Sequence, residues 1–243
     1  MLKPDGTSMS RPERVPKPGG TSGSRPETKG GPVVGIVPAG GSGERLGARR
    51  PKAFVVLAGR PMLDWSLDVL AKACDRVVVA VPEGDVDGPD RVAGGLSRSE
   101  SVRNAVAAAP EASVFVVHDA ARPLVTLELV QRCVDALGDG LQGAIAAAPV
   151  TDTIKQAEPS GRVVGTLHRG SLWAAQTPQV FQADSLRRAL KADAGTLAAA
   201  TDDASLVEAA GGGVEVVESR VENFKVTTPL DLRMAEAVLA ERC

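Results

Sequence analysis

A glycine-rich segment, residues 38–47, has the composition of a loop that binds phosphate groups. It reads Pro-Ala-Gly-Gly-Ser-Gly-Glu-Arg-Leu-Gly and directly follows an apolar run at residues 33–37. Glycine lets backbone N–H groups approach phosphate oxygens closely, and Arg45 would add positive charge. The glycines are spaced GxGxxxG and no GK[ST] sequence follows, so the segment matches neither the dinucleotide fingerprint nor the Walker A motif. It predicts a different loop, one suited to a triphosphate.

A second cation follows this segment at Lys52, directly after Pro51. Proline interrupts helical structure and restricts the backbone, so it would hold Lys52 in a defined place near the same phosphates. The alternative is that Lys52 and Arg45 are solvated surface charges, which is the usual situation for a single lysine or arginine.

The apolar run at residues 114–117 ends in His118-Asp119-Ala120-Ala121-Arg122-Pro123. Asp119 could hold Mg²⁺ against phosphate groups, although an aspartate that only forms a turn is the alternative. Arg122 could bind an anionic substrate through the two-pronged geometry of its guanidinium. For His118 we favour a packed or hydrogen-bonded histidine without a catalytic part.

Residues 94–101, Gly-Gly-Leu-Ser-Arg-Ser-Glu-Ser, lead into a predicted helix. Their backbone and the Ser101 hydroxyl could contact a base and a ribose. Ser97 with Glu100 three residues later also matches a capping box, so a capped helix start is the alternative interpretation. The two interpretations are compatible, because a loop that is stiffened by a cap is a better recognition surface.

Short valine-rich runs alternate with segments of helical length, which predicts βαβ units, an α/β fold and a largely parallel sheet. The predicted strands are Val33–Val37, Arg76–Val81, Val114–Val117, Gly143–Ala148 and Val214–Val217. The predicted helices are Met62–Lys72, Ser99–Ala109, Leu127–Leu137, Ser185–Ala192 and Pro229–Ala240. The phosphate-binding candidates follow strands directly, and the carboxyl ends of strands are where ligands bind in such sheets.

One stretch, at about residues 150–170, departs from this alternation. Extended runs at residues 150–157 and 162–167 flank the turn-forming sequence Glu-Pro-Ser-Gly, which predicts a β-hairpin arm. A hairpin that projects from an α/β domain has little core of its own, so packing on a second subunit would stabilise it.

The composition limits the domain organisation and the partners. Residues 1–31 are rich in proline, glycine, serine and charge and predict a disordered tail, whereas residues 32–243 suit a single catalytic domain. The net charge of -2 and the aromatic content of 2% argue against nucleic-acid binding. Three widely spaced cysteines match no zinc site, and no run of about 18 apolar residues or secretory signal occurs. We expect a cytoplasmic protein that does not bind a membrane.

The motifs together resemble one enzyme family in their order and spacing. They are the glycine segment, Pro51-Lys52, residues 94–101, residues 118–123 and Asn223-Phe224-Lys225-Val226-Thr227, with Ala-Pro-Val-Thr-Asp-Thr-Ile-Lys at 148–155 and Leu-Trp-Ala-Ala-Gln-Thr-Pro-Gln at 172–179. The chain from Val33 to the last helix is similar to the 2-C-methyl-D-erythritol 4-phosphate cytidylyltransferases. The resemblance implies a Rossmann-like nucleotidyltransferase fold, a hairpin that serves as a dimerisation arm, and a homodimer with shared active sites.

The resemblance also implies roles for individual residues. The residues that bind CTP would be Ala39, Gly40, Gly41, Gly43, Gly95, Ser101 and Ala120. The catalytic cations would be Arg45, Lys52, Arg169 and Lys225. The second substrate, a polyol phosphate, would lie against Asp119, Arg122, Thr153, Arg169, Thr177 and Thr201, with Thr153 and Arg169 supplied by the hairpin of a partner subunit. Asp119 would also ligate Mg²⁺ or another divalent cation.

The implied reaction transfers CMP from CTP to 2-C-methyl-D-erythritol 4-phosphate and releases pyrophosphate, a step of isoprenoid precursor biosynthesis. One alternative is a cytidylyltransferase for ribitol 5-phosphate, or another sugar-phosphate nucleotidyltransferase. A regulatory nucleotide binder without catalysis is a second alternative, disfavoured because Arg45, Lys52, Asp119 and Lys225 are all present. Glu222 could be a second metal ligand, but we favour an exposed charge.

Overall fold

The structure, a computed structural model, describes residues 31–41, 46, 51–138 and 140–242. The predicted tail therefore lies outside the described residues except for Gly31. The strands are β1 (Val33–Pro38), β2 (Val56–Leu57), β3 (Arg60–Pro61), β4 (Arg76–Val81), β5 (Arg91–Ala93), β6 (Val114–Val117), β7 (Gly143–Pro149), β8 (Lys155–Ala157), β9 (Val163–Thr166), β10 (Trp173–Gln182) and β11 (Val214–Glu218). The helices are α1 (Met62–Ala73), α2 (Arg98–Ala107), α3 (Leu127–Asp135), α4 (Ala183–Ala189), α5 (Ala194–Ala199), α6 (Asp203–Ala209) and α7 (Pro229–Arg242).

Seven strands form the central sheet in the order β11-β7-β10-β6-β1-β4-β5. The pairs of β1 with β4 and β6, of β4 with β5, and of β7 with β11 are parallel. The predicted α/β fold with a mostly parallel sheet is therefore confirmed, and all five predicted strands belong to this sheet. Strand β10 was not predicted, and it runs antiparallel to both of its neighbours, β6 and β7.

Alternating side chains of β1 supply apolar groups to both faces of the sheet, as the two-residue period of a strand requires. Val33 and Val37 belong to the cluster on the side of α1 and α3. Val34 and Ile36 belong to the cluster on the opposite side, with α2, α4 and α6. Helices cover both faces of the sheet, and this explains why the strand sequences are almost continuously apolar.

Two helix starts carry side-chain caps, the first of which is predicted from the sequence. Ser97 and Glu100 form a reciprocal capping box at the start of α2. At the start of α7, the Thr228 hydroxyl accepts a bond from the Asp231 backbone N–H, and the Asp231 carboxylate accepts one from the Thr228 backbone N–H. Each cap satisfies backbone donors that a helix terminus otherwise leaves unpaired.

The predicted hairpin is present as an antiparallel pair of β8 and β9, with Lys155 opposite Thr166. Its turn closes through Gly161, which has a positive φ of 84°. Four large apolar side chains on or near the hairpin are exposed, namely Val163, Val164, Leu167 and Trp173. The hairpin itself is thus confirmed, whereas its use as a dimer contact stays a prediction.

The lengths and polarity of the helices can be compared with what a membrane-spanning helix needs. Within the described part of the chain, every helix is too short or too polar to cross a bilayer.

The contact between Gly143 and Phe181 gives a test of the core. A Cβ atom on Gly143 would lie 2.7 Å from Cδ1 of Phe181, a fully buried ring directly opposite it on β10. Because the ring has no space to move, we expect Gly143→Ala to lower the free energy of unfolding by about 1–3 kcal/mol. Chemical denaturation measures this change. Gly84→Ala is the control, because a Cβ there would meet no described atom within 4 Å and φ is not positive. Equal stability of the two variants would contradict this account of the core.

Candidate functional site

A pocket of about 550 Å³ opens at the edge of the sheet where β1 and β6 end. Because these strands are parallel neighbours, the segments that follow them lie side by side. Residues 38–41, which begin at the last residue of β1, and residues 119–121 beyond β6 form two walls, and residues 95–98 form a third. The rest of the described lining is Leu46, Lys52, Ala53, Ser101, Lys225 and Thr227. The volume is in the range of pockets that hold drug-sized ligands.

The start of the glycine segment is fixed by backbone hydrogen bonds. Ala39 N–H donates to Ala80 C=O at 2.7 Å, which continues the pairing of β1 with β4. Lys52 N–H donates to Gly41 C=O at 2.8 Å, so the chain returns to the pocket after the intervening residues. A Cβ on Gly40 or Gly41 would meet no described atom within 4 Å, which leaves this backbone open to a ligand. Gly43 and Arg45, two predicted site residues, lie outside the described residues.

Lys52 is the first predicted catalytic cation that the structure places at the pocket. Its Nζ lies 3.5 Å from Oγ1 of Thr227, on the segment that precedes α7. Thr227 is held in turn by a hydrogen bond from its backbone N–H to Asp231. Lys52 is half-buried, so it is not the fully solvated surface charge of the alternative interpretation.

The wall that contains Gly95 depends on very close packing against α2. A Cβ on Gly95 would lie 2.3 Å from Cβ of Glu100, so only glycine fits at this position. Gly95 N–H donates to the Ser101 hydroxyl at 3.0 Å, and that hydroxyl donates to Ser97 C=O at 3.0 Å. The single hydroxyl proton of Ser101 is therefore used to shape the wall. Leu96 is fully exposed at the pocket rim.

A chain of ion pairs crosses the floor of the pocket. Lys225 Nζ bonds to Oδ2 of Asp119 at 2.6 Å, and Arg98 Nε bonds to Oδ1 of the same carboxylate at 2.9 Å. Arg98 NH1 continues to Oδ2 of Asp203 at 2.6 Å. Burial alone would raise the pKa of Asp119, but the charges of Arg98 and Lys225 outweigh it and hold the pKa well below its usual range. Asp119 is therefore ionised at neutral pH.

His118 and Thr177 fix the backbone of Asp119 from beneath. Asp119 N–H donates to the Thr177 hydroxyl at 3.0 Å, and that hydroxyl lies 3.0 Å from Nδ1 of His118. His118 Nε2 lies 3.2 Å from the carbonyl oxygen of Arg122, which can only accept, so Nε2 carries the proton and Nδ1 accepts from Thr177. Burial lowers the pKa of His118 to about 4, so the ring is neutral at pH 7. His118 is a hydrogen-bonded histidine, as its sequence context favoured.

The structure brings most of the predicted nucleotide-binding residues together and places the others elsewhere. The described lining includes Ala39, Gly40, Gly41, Lys52, Gly95, Ser101, Asp119, Ala120 and Lys225. It does not include Arg122, Thr153, Arg169, Thr177 or Thr201, all of which the structure describes. Thr177 is buried below the pocket and does not belong to the described lining, and the proton of its hydroxyl is donated to His118. Arg122 instead donates to Asn223 C=O at 2.8 Å.

Thr153 and Arg169 lie on the hairpin arm and are both exposed. Arg169 NH1 donates to Thr151 C=O at 2.8 Å, so the two ends of the arm are joined at its base. Thr201 is exposed and lies two residues before Asp203. The binding of the polyol phosphate by Thr153, Arg169 and Thr201 therefore stays a prediction.

Two residues of the ion-pair chain were not assigned a role from sequence. Arg98 lies within the capped segment that we considered for base recognition, but the cap explains the segment without requiring any partner for the arginine. Asp203 follows another aspartate at the start of a short helix, and nothing local distinguishes it from a second capping residue. Their pairing joins residues 105 positions apart in the sequence, so only the fold reveals it.

The residues at the pocket are compatible with a divalent cation that is bound mainly by the phosphate groups of a substrate. Among the described residues, no group of three or more histidine, cysteine, aspartate or glutamate side chains is arranged to hold a metal. Asp119 offers one carboxylate, and Mg²⁺ is commonly bound by one or two carboxylates together with substrate phosphates. Glu222 is exposed and does not belong to the described lining, which agrees with the exposed charge that we favoured.

Comparisons with known proteins identify the family to which the chain belongs. A model of the family "2-C-methyl-D-erythritol 4-phosphate cytidylyltransferase" matches residues 33–241. The chain is 46% identical over 224 residues to the protein of that name from Nocardia farcinica, covering 87% of this chain and 96% of the relative. The relative of the same name from Rhodococcus jostii is 48% identical over 221 residues, again covering 87% and 96%.

A solved structure gives the same result for the fold. The crystal structure of 2-C-methyl-D-erythritol 4-phosphate cytidylyltransferase from Thermus thermophilus superposes with a TM-score of 0.73 at 34% identity. The alignment covers 86% of this chain and 98% of that one. The sequence match, the shared fold and the pocket at the sheet edge lead to one assignment. The chain belongs to the 2-C-methyl-D-erythritol 4-phosphate cytidylyltransferase family.

Proposed function

We propose that this protein transfers CMP from CTP to 2-C-methyl-D-erythritol 4-phosphate, giving 4-diphosphocytidyl-2-C-methyl-D-erythritol and pyrophosphate for isoprenoid precursor biosynthesis. One observation carries the proposal. Lys52, Asp119 and Lys225, which are far apart in the sequence, converge on one pocket beside the open backbone of Gly40 and Gly41. A pocket with cations, glycine backbone and one carboxylate suits the transfer of a nucleotidyl group between anions.

The reaction would proceed by in-line attack. A phosphate oxygen of the polyol phosphate forms a bond to the α-phosphorus of CTP, and the bond from that phosphorus to the bridging oxygen of the β-phosphate breaks. The electron pair of the broken bond leaves with pyrophosphate. A phosphate monoester is already an anion near neutral pH, so no side chain has to remove a proton from it. The enzyme needs to orient the two substrates and offset their charge repulsion.

Different residues would bind the two substrates and stabilise the transition state. The backbone of residues 39–41 would hold the phosphates of CTP, with Lys52 placed to stabilise charge on them in the transition state. Lys225 would lie near the incoming phosphate, restrained by Asp119. Gly95 would contact the cytidine, and Ser101 would keep Gly95 in place through its hydroxyl. Arg45 would be a further cation, as the resemblance implies.

Asp119 is the residue that would hold a divalent cation, expected to be Mg²⁺. Such a cation, when bound, neutralises phosphate charge and orients the phosphate groups. The protein side of this arrangement is Asp119 itself, which stays ionised because of Arg98 and Lys225.

The second substrate would be bound between two subunits of a homodimer. Thr153 and Arg169 are absent from the described lining of their own chain's pocket, which suits residues that act in a partner's pocket. Exposed Val163, Val164 and Trp173 supply apolar area for the contact between subunits. Arg122 and Thr201 would complete the binding of the polyol phosphate, and Thr177 would act on it only through Asp119.

Residues 32–243 would form one catalytic domain, with residues 1–31 as a tail outside it. We also propose a cytoplasmic location, because a chain with three widely spaced cysteines suits a reducing compartment. Neither nucleic acid nor a membrane would be a partner.

The proposal is tested by incubating the purified protein with CTP, Mg²⁺ and a polyol phosphate and measuring pyrophosphate. We expect faster release with 2-C-methyl-D-erythritol 4-phosphate than with ribitol 5-phosphate. Preference for ribitol 5-phosphate would support the alternative cytidylyltransferase. CTP binding without pyrophosphate release from any acceptor would favour a regulatory nucleotide binder.

Lys52→Ala tests the catalytic cation at the pocket. Removal of one preorganised charge should lower kcat on the order of 10²-fold, because the transition state loses a fixed positive group. Lys72→Ala is the control, since Lys72 is an exposed lysine on α1 away from the described lining. Steady-state kinetics with both substrates measure the change. A Lys52→Ala enzyme that is as active as the control would refute the role of Lys52.

Mixing two impaired variants, assayed at a low concentration of the polyol phosphate, tests whether the active sites are shared. Lys52→Ala damages a subunit's own pocket, whereas Arg169→Ala should damage the pocket of its partner and raise KM for the polyol phosphate more than KM for CTP. If subunits exchange at random, half of the dimers are mixed and each has one intact site, so activity should recover to about a quarter of wild type.

The recovery is measured after unfolding and refolding an equimolar mixture, with each variant refolded alone as the control. A mixture that is no more active than its components would show that Arg169 acts within its own chain. Light scattering of the refolded sample confirms its oligomeric state.

A further inference from the structure

We propose that Arg98 is a positioning residue that keeps Lys225 available to substrate by occupying one oxygen of Asp119, with Asp203 as its buried anchor. The inference rests on the proposed function. It gives a role to Arg98 and Asp203, for which neither the motifs nor the family resemblance implied one. Arg98 would not form or break a bond. It would act on the reaction through Asp119 and Lys225.

The position of Arg98 is determined by its backbone. It is the first residue of α2, directly after the capping residue Ser97. The capping box and the close contact of Gly95 with Glu100 leave this helix start little freedom. The guanidinium therefore projects from a rigid base, and its side chain is 28% exposed at the pocket floor.

Asp203 is held just as firmly on the other side. It is the first residue of α6, after the capping residue Asp202. Gln179 of β10 donates to the Asp202 carboxylate at 2.8 Å and accepts from Ala204 N–H at 3.2 Å, so the start of α6 is tied to the sheet. The Asp203 side chain is completely buried. Arg98 thus joins the starts of two helices that come from distant parts of the chain.

The geometry explains why an arginine is needed. Arg98 donates from Nε to Asp119 and from NH1 to Asp203, two different nitrogens with a fixed angle between them. Lysine has the same charge, but its single nitrogen is a compact point charge and cannot reproduce this fork. An ammonium could approach one carboxylate and would leave the other weakly paired.

The effect on Lys225 follows from how the Asp119 carboxylate is shared. Arg98 occupies Oδ1, so Lys225 contacts only Oδ2, and 41% of its side chain remains exposed. If Arg98 released Oδ1, both carboxylate oxygens could turn to Lys225 and neutralise it more completely. A neutralised Lys225 would attract an incoming phosphate less strongly. The loss should therefore appear mainly at the chemical step and in the use of the polyol phosphate.

Arg98→Lys is the main test, with Arg76→Lys as a matched control. Arg76 likewise bridges two carboxylates, Asp90 at 2.7 Å and Glu111 at 3.0 Å, but it lies at the start of β4, away from the described lining. We expect Arg98→Lys to lower kcat by about 10-fold or more while KM for CTP changes by less than about 3-fold. Arg76→Lys should keep wild-type kcat. Thermal unfolding of both variants reports any general loss of stability.

Asp203→Asn tests the anchor and remains informative if Arg98→Lys does not fold. It removes the buried charge with little change of shape, and we expect it to lower kcat as well. The double variant Arg98→Lys/Asp203→Asn should lose less than the product of the two single losses, because both changes break the same bridge.

The possible results separate the inference from the proposed function. A kcat of Arg98→Lys as high as that of Arg76→Lys would overturn the inference, as would multiplicative losses in the double variant. If only Asp203→Asn folds, wild-type kcat in that variant would overturn it. A wild-type enzyme that releases no pyrophosphate would instead refute the proposed function, before any variant is compared.

Discussion

The carboxylate of Asp119 lies between two cations, and the rest of the site is arranged around that contact. A lone buried carboxylate would tend to take up a proton, because burial disfavours its charged form. Arg98 and Lys225 reverse this tendency, and the reversal requires that three segments bring their side chains within hydrogen-bond distance of one carboxylate. The end of β6 supplies the acid, the start of α2 supplies the arginine, and the segment before α7 supplies the lysine. The sheet, the caps and the hydrogen bonds of Thr177 all restrict those three segments.

Much of this could be predicted from the sequence because the relevant signals are local. The strand β6 is a short apolar run that ends at Val117, just before His118, and the cap of α2 is visible in four residues. The rule that ligands bind at the carboxyl ends of parallel strands then places the glycine segment and Asp119 at the same edge. Lys52 was a weaker prediction, since a lone lysine has no distinctive pattern. Its place became clear only from the hydrogen bond between its backbone and Gly41.

The features that escaped prediction depend on contacts between distant residues. Strand β10 contains Pro178 and several polar residues, which normally argue against a strand in the middle of a sheet. Here Gln176 and Gln179 are buried because they bond to partners from other segments, Arg220 and Asp202 respectively. The pairing of Arg98 with Asp203 is of the same kind. The residues next to Arg98 and Asp203 in the sequence do not indicate that the two side chains pair. The sequence patterns therefore predict the walls of the pocket but not the buried ion pair of Arg98 with Asp203.

The scarcity of aromatic residues makes the chain easy to observe by its own fluorescence. The sequence has no tyrosine and only two tryptophans. Trp65 on α1 is held by a hydrogen bond from its indole Nε1 to Leu57 C=O at 3.0 Å, so its surroundings are fixed by the fold. Trp173, at the base of the hairpin arm, has 41% of its surface open to water. The fluorescence of this protein therefore comes from one tryptophan that the fold holds in place and one that is partly exposed at the base of the arm. A change in the solvent exposure of Trp173 can be followed without an attached label.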